Sequence, residues 1–261
     1  MSPTWVAATA ARPGPRRPAL RRDLAMRLAA DEYDRLVAQL RELAPEDWSK
    51  PTACPAWDVH AMACHVLGMA EFAASPLEQW RQSRAARKTG GLFIDALTAV
   101  QAEKHIARTP ADVVARLAVV APRAAAGRRR TPAPVRRIRM GAQPVEETGT
   151  KTEPWTLGYL TDVILTRDTW MHRSDIAAAT GRAMTLTPEH DGVLVADVAA
   201  EWAGRHGQPC ALTLTGPAGG GWTFNGAADE SPVLELDAVE FCRILSGRGT
   251  GPGLLSTRVP F

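Results

Sequence analysis

The sequence predicts an α+β protein, a helical bundle followed by a small α+β unit. Three observations carry this reading. Apolar residues recur at helical spacing in several stretches before Gly181, and after Arg182 the pattern changes to short alternating runs. With 45% of its 261 residues hydrophobic and 23% charged, the chain has the composition of a folded globular protein.

Residues 1–25, rich in Pro, Ala and Arg, read as a disordered leader. Leu28, Tyr33, Leu36, Leu40 and Leu43 then mark an amphipathic helix that stops near Pro45. A turn follows through Thr52–Asp58, with Asp58 as N-cap of a second helix from Val59 to about Ala74. A third helix is expected from Leu92 to His105 and a fourth after Ala111. Between Pro122 and Pro154 no periodicity persists, so a long loop is expected there. The strongest helix spans about Thr156 to Thr180 and ends at Gly181, placed for a left-handed cap. Residues 26–181 thus form one domain and 182–261 another. The second has a helix over Glu189–His206, strands at 211–215, 222–225 and 233–236, and a helix over Ala238–Leu245. The Gly216–Gly221 segment, which lacks the lysine ending of a phosphate loop, supplies a hairpin turn.

Several function classes are disfavoured. A net charge of +3 is too small to imply a nucleic-acid partner, and the arginines at 128–130 and 136–139 read as a solvated loop. No apolar run approaches the roughly 20 residues of a membrane span. Cys54, Cys64, Cys210 and Cys242 form no CxxC pair and read as reduced thiols of a cytoplasmic protein, with Cys54 and Cys64 as packing residues.

Asp168 and His172 stand four apart on the strongest helix, so both leave the same face, in a row with Ile164 and Ile176. A carboxylate and an imidazole so placed reach one metal ion, although the same spacing serves an ordinary surface pair. His65 shares an apolar face of the second helix with Met62, Met69 and Phe72. A lone histidine there can be a hydrogen-bonded core residue. Together, His65, Asp168 and His172 fit the way bundles build metal sites, and two histidines with one carboxylate leave positions open for chemistry. Zinc is the first choice.

Pro51-Thr-Ala-Cys-Pro-Ala-Trp57-Asp-Val-His-Ala-Met-Ala-Cys-His65 resembles a signature of the mycothiol-dependent maleylpyruvate isomerase family, DinB-like helical bundles. The stretch Thr166–Arg182 resembles the second signature of that family, and Glu240–Arg248 is similar to the end of its small C-terminal domain. The resemblance implies a DinB-like four-helix bundle followed by a small sterol-carrier-like α+β domain, in an actinobacterial setting. It also implies a divalent ion held by His65, Asp168 and His172, with mycothiol as thiol cosubstrate. The expected substrate is a small electrophile or unsaturated acid, handled by cis-trans isomerisation or thiol S-transfer. Arg248, at the family's Gly-Arg position, would clamp a substrate carboxylate or simply end a helix. Asp175 would orient a ligand histidine or pair with Arg173 or Arg182. The family isomerase carries glutamate where this chain has Asp168; aspartate is one methylene shorter, so the ion would sit nearer the helix axis or keep an extra water. A non-catalytic metal-binding regulator or sensor retaining the bundle is the alternative.

Overall fold

In a computed structural model, residues 14–145, 151–228 and 230–261 are described, and they form an α+β chain that divides into two compact units. The first unit comprises Arg16–Gln143 and Pro154–Met184; the body of the second is Thr185–Phe261.

The first unit is built on α1 (Arg22–Arg41), α2 (Val59–Ala74), α5 (Pro110–Arg130) and α8 (Leu165–Thr180). Each packs against two of the others, in the ring α1–α5–α2–α8. Leu36 and Leu40 of α1, Met62, Val66 and Leu67 of α2, Val113 and Leu117 of α5 and Ile176 of α8 meet in one core. The apolar stripes that produced the helical spacing are therefore the faces that removal from water drives together. Two shorter helices, α3 (Pro76–Thr89) and α4 (Phe93–Glu103), flank α2. At Gly68 a Cβ would stand 2.7 Å from that of Gln101, so α2 and α4 approach closely only because a glycine is there.

Helix α1 starts at Arg22, inside the segment expected as a leader, and buries Ala25 and Met26; residues 1–13 lie outside the described residues. The sequence pattern gave no sign of α3 because little of it is core: only Gln82 and Ala86 are buried. Its start was nevertheless written in Ser75, whose side chain caps Glu78 N–H, and in Pro76 at the first helical position. Pro122 does not end α5. The alanines after it continue the helix and bury Ala124, Ala125 and Arg128 on the face begun by Leu117 and Val120.

The expected long loop therefore shrinks. Its remainder holds the short helix α6 (Ala133–Arg136) and a two-stranded sheet of β1 (Arg139–Pro144) and β2 (Thr152–Thr156). Two arginines expected in solvent are structural. Arg128 is buried, its Nε donating to Thr161 O at 2.7 Å and its Nη2 to the Thr166 hydroxyl. Arg136 pairs with buried Asp162, which Arg22 also reaches at 3.2 Å.

The last helix of the bundle begins as one turn, α7 (Leu157–Tyr159), and widens to a π-helical turn over Leu160–Ile164 before α8. Gly181 ends it at φ 72°, its N–H bonding Ala177 O at 2.9 Å. Replacing Gly181 by alanine puts a Cβ in left-handed backbone, and a loss of about 1 kcal/mol is expected in denaturant unfolding.

In the second unit, α9 (Val193–His206) and α10 (Ala238–Ser246) accompany a three-stranded sheet in the order β4–β3–β5, with β3 at Cys210–Thr215, β4 at Gly220–Phe224 and β5 at Val233–Asp237. The hairpin at 216–219 joins β3 to β4 antiparallel as expected, whereas β5 pairs parallel to β3 on its other edge. Cys210, Leu212 and Leu214 point to the core. Trp202 centres that core, with its rings against Phe224 and Phe241 and its indole N–H donated to Leu254 O.

Candidate metal centre

Two elements of the bundle supply the predicted ligands. Asp58 caps α2 by accepting from Ala61 N–H at 2.8 Å, and that fixes where the helix begins and hence which face His65 occupies. The turn before it is tied by Trp57 N–H to Cys54 O at 2.9 Å and by the Thr52 hydroxyl to Trp57 O at 2.8 Å. Its Trp57 indole stacks on the His65 ring at 4.9 Å and meets His172 edge-on at 6.0 Å. Helix α8 brings Asp168 and His172 to the same place. The π turn before it adds a residue to the helical repeat and so sets the rotation at which both leave the helix.

The three side chains meet. His65 Nε2 lies 3.5 Å from Asp168 Oδ2, and His172 Nε2 lies 3.5 Å from Asp168 Oδ1. One donor atom from each falls within 4.8 Å of the other two. Both histidines are buried and Asp168 is partly exposed. Apart from their 3.5 Å contact with each other, His65 Nε2 and Asp168 Oδ2 have no polar partner, and His65 Nδ1 makes no hydrogen bond. Buried polar atoms left without partners are costly, and a cation among them removes that cost. The donor set of two imidazoles and one carboxylate fits a divalent ion.

Electrostatics agree with this geometry. Burial pushes the Asp168 carboxyl up, but His172 and His65 outweigh it and hold the group well below the usual carboxylate range. Burial pulls His172 down, but Asp168 and then Asp175 outweigh it and leave the imidazole raised to about 9. Asp175 is fully buried and accepts from His172 Nδ1 at 3.3 Å. That bond puts the proton on Nδ1 and leaves Nε2 turned to the Asp168 side.

Residues 29–177 match the family described as the mycothiol maleylpyruvate isomerase N-terminal domain. The chain belongs to this family. Among solved structures, that of the mycothiol-dependent maleylpyruvate isomerase is similar, with a TM-score of 0.54 and 16% identity over 88% of this chain and 91% of that one. A histidine-to-alanine mutant of that isomerase matches at a TM-score of 0.47 and 15% identity over the same shares. Comparison with curated protein sequences gives no match. The family's α+β architecture, bundle first and small sheet domain second, is thus the fold of this chain.

Arg248 lies in the second unit, directly after Gly247, the left-handed cap of α10, and its N–H bonds Arg243 O at 2.9 Å. His60 stays out of the cluster, facing Trp48 and lying 3.6 Å from the Cys64 sulfur. Cys64 is buried, and burial pushes its thiol up to about 12, so it is an inert packing residue. Two features escaped sequence reading. Trp57 covers His65, and Cys54, taken for packing, lies beside His172 and Asp175. Neither contact follows from helical periodicity, because a turn rather than a helical repeat makes it. No helix among the described residues is long and apolar enough to cross a membrane.

Proposed function

We propose that this chain is a metal-dependent enzyme that uses mycothiol on a small electrophilic or unsaturated acid, as a cis-trans isomerase or a thiol S-transferase. The observation that carries the reading is the buried convergence of His65, Asp168 and His172, among which the nitrogens of His65 and one oxygen of Asp168 make no hydrogen bond. Family membership supplies the thiol.

His65 and His172 would hold a divalent ion, zinc first, through neutral nitrogens, with Asp168 providing the compensating charge. Such an ion lowers the pKa of a neighbouring low-molecular-weight thiol toward neutrality. Asp175 keeps His172 in the tautomer that presents Nε2. Trp57 shields one face of His65 from water and limits its rotation. Arg248 would bind a substrate carboxylate through its planar donors. In isomerisation the thiol adds across the cis double bond, the new single bond rotates, and the thiol leaves with the trans product.

The test is metal analysis of the purified chain, together with turnover of maleylpyruvate and a panel of electrophiles with and without mycothiol. Bound metal with thiol-dependent turnover supports the enzyme. Bound metal without thiol consumption would instead identify a metal-binding regulator or sensor. Asp175→Asn is expected to weaken metal binding by about 10–100-fold, read by competition with a chromophoric chelator. Unchanged affinity would show that the His172–Asp175 bond does not prepare the ligand.

A further inference from the structure

The turn that carries Trp57 also places a thiol at the site. The Cys54 sulfur, a ring nitrogen of His172 and a carboxylate oxygen of Asp175 all lie within 4.8 Å of one another. His172 belongs to both this group and the first one. Its ring has two nitrogens, and they face different carboxylates: Nε2 is 3.5 Å from Asp168, Nδ1 is 3.3 Å from Asp175.

We infer that Cys54, His172 and Asp175 form a second cation position, next to the first and sharing its histidine, which takes a thiophilic divalent ion such as zinc, cobalt or cadmium. The inference rests on the reading of His65, Asp168 and His172 as the first position.

Donor chemistry selects the class of ion. A thiolate, an imidazole and a carboxylate suit zinc and its softer neighbours, whereas calcium and magnesium prefer all-oxygen shells. Ligand bonds of about 2.0–2.3 Å to one ion require donor atoms to stand roughly 3.3–3.8 Å apart. The three donors stand within 4.8 Å of one another, and Cys54 lies outside any helix, in a segment that can adjust toward this spacing. The bond now joining His172 to Asp175 is long for a charge-assisted contact, whose usual length is about 2.7–2.9 Å. An ion there would replace the Nδ1 proton, which leaves to solvent, and with an ion also on Nε2 His172 would bridge the two positions as an imidazolate. Access is provided as well: Asp175 is fully buried, but Cys54 is partly exposed and opens the position to solvent. The other cysteines, Cys64, Cys210 and Cys242, are fully buried.

The experiment is titration of the metal-stripped full chain with Co²⁺, followed by absorption. Two equivalents are expected to bind. The second should bring the near-ultraviolet band of thiolate-to-cobalt charge transfer, while d–d bands report the first. Cys54→Ser should lose the charge-transfer band and the second equivalent but keep the first, with unchanged circular dichroism. A wild-type titration that ends at one equivalent without the band overturns the second position and leaves the first intact. Persistence of the band in Cys54→Ser also overturns it, since another thiol is then the ligand. No cobalt bound at all would overturn both positions.

Discussion

His172→Ala is expected to abolish binding of the divalent ion proposed above, lowering affinity by more than about 100-fold. Loss of an outer-shell partner alone costs about 10–100-fold, and His172 sits in the inner set, within 3.5 Å of Asp168. Removing the imidazole leaves one histidine and one carboxylate on two helices, too few to hold a divalent ion in a closed shell. It also removes the largest influence holding the Asp168 carboxyl low, so the remaining donor binds a proton more readily and competes less well for metal. Equilibrium dialysis measures the loss directly. A second readout is thermal: an ion that binds only the folded chain stabilises it by about 4 kcal/mol at a thousandfold excess over Kd, so added metal should raise the wild-type Tm and leave the variant unmoved. His60→Ala, five residues before His65 on α2 and outside the cluster, is the control and should bind as the wild type does. Wild-type stoichiometry in His172→Ala would show that the ion is held elsewhere and would remove the physical basis of the proposed enzyme.

What the sequence disclosed about this site follows from which interactions are periodic. Asp168 and His172 were visible as a pair because one helical turn separates them, and His65 was visible because it interrupts an apolar stripe. Their meeting is a tertiary fact, made legible by resemblance to a family and by nothing in the local pattern. Trp57 over His65 and Cys54 beside His172 arise from a turn closed by Thr52 and Trp57 backbone bonds, which no repeat encodes. In the fold, the bundle helices were read from their buried stripes, whereas α3 was not read because solvent rather than core faces most of it. Pro122 misled for a related reason. Its local penalty is real, but the alanine-rich face that follows packs on the bundle, and tertiary burial outweighs it. The parallel placement of β5 beside β3 was equally hidden, since alternation identifies a strand and says nothing about its neighbour.

Glu71→Ala is expected to destabilise the bundle by about 3 kcal/mol, the low end of the range for breaking a buried ion pair. Glu71, at the end of α2, is buried and gathers side chains from two other parts of the chain. Lys104 reaches Oε2 at 2.5 Å, His105 Nε2 lies 3.1 Å from the same oxygen, and Arg116 Nε donates to Oε1 at 2.6 Å. Arg108 donates to His105 Nδ1 at 3.1 Å, so the proton of that ring is on Nε2 and points at Glu71. The loss falls at the low end because Lys104 and Arg116 are partly exposed and water recovers part of their charge. Burial alone would raise the Glu71 carboxyl. The bonds from His105, Lys104 and Arg116 outweigh burial and hold it far below its usual value of 4.5. A carboxyl lowered in the folded state contributes stability that is complete above that unfolded value and is lost as pH falls through it toward the folded one. Glu71→Gln should therefore be less stable than the wild type at neutral pH, and its stability should fall less steeply below about pH 5. Urea unfolding of both proteins across that range gives the comparison. Parallel acid limbs would mean that the charge of Glu71 does not hold α2 to α4 and α5, and that their packing rests on apolar contact alone.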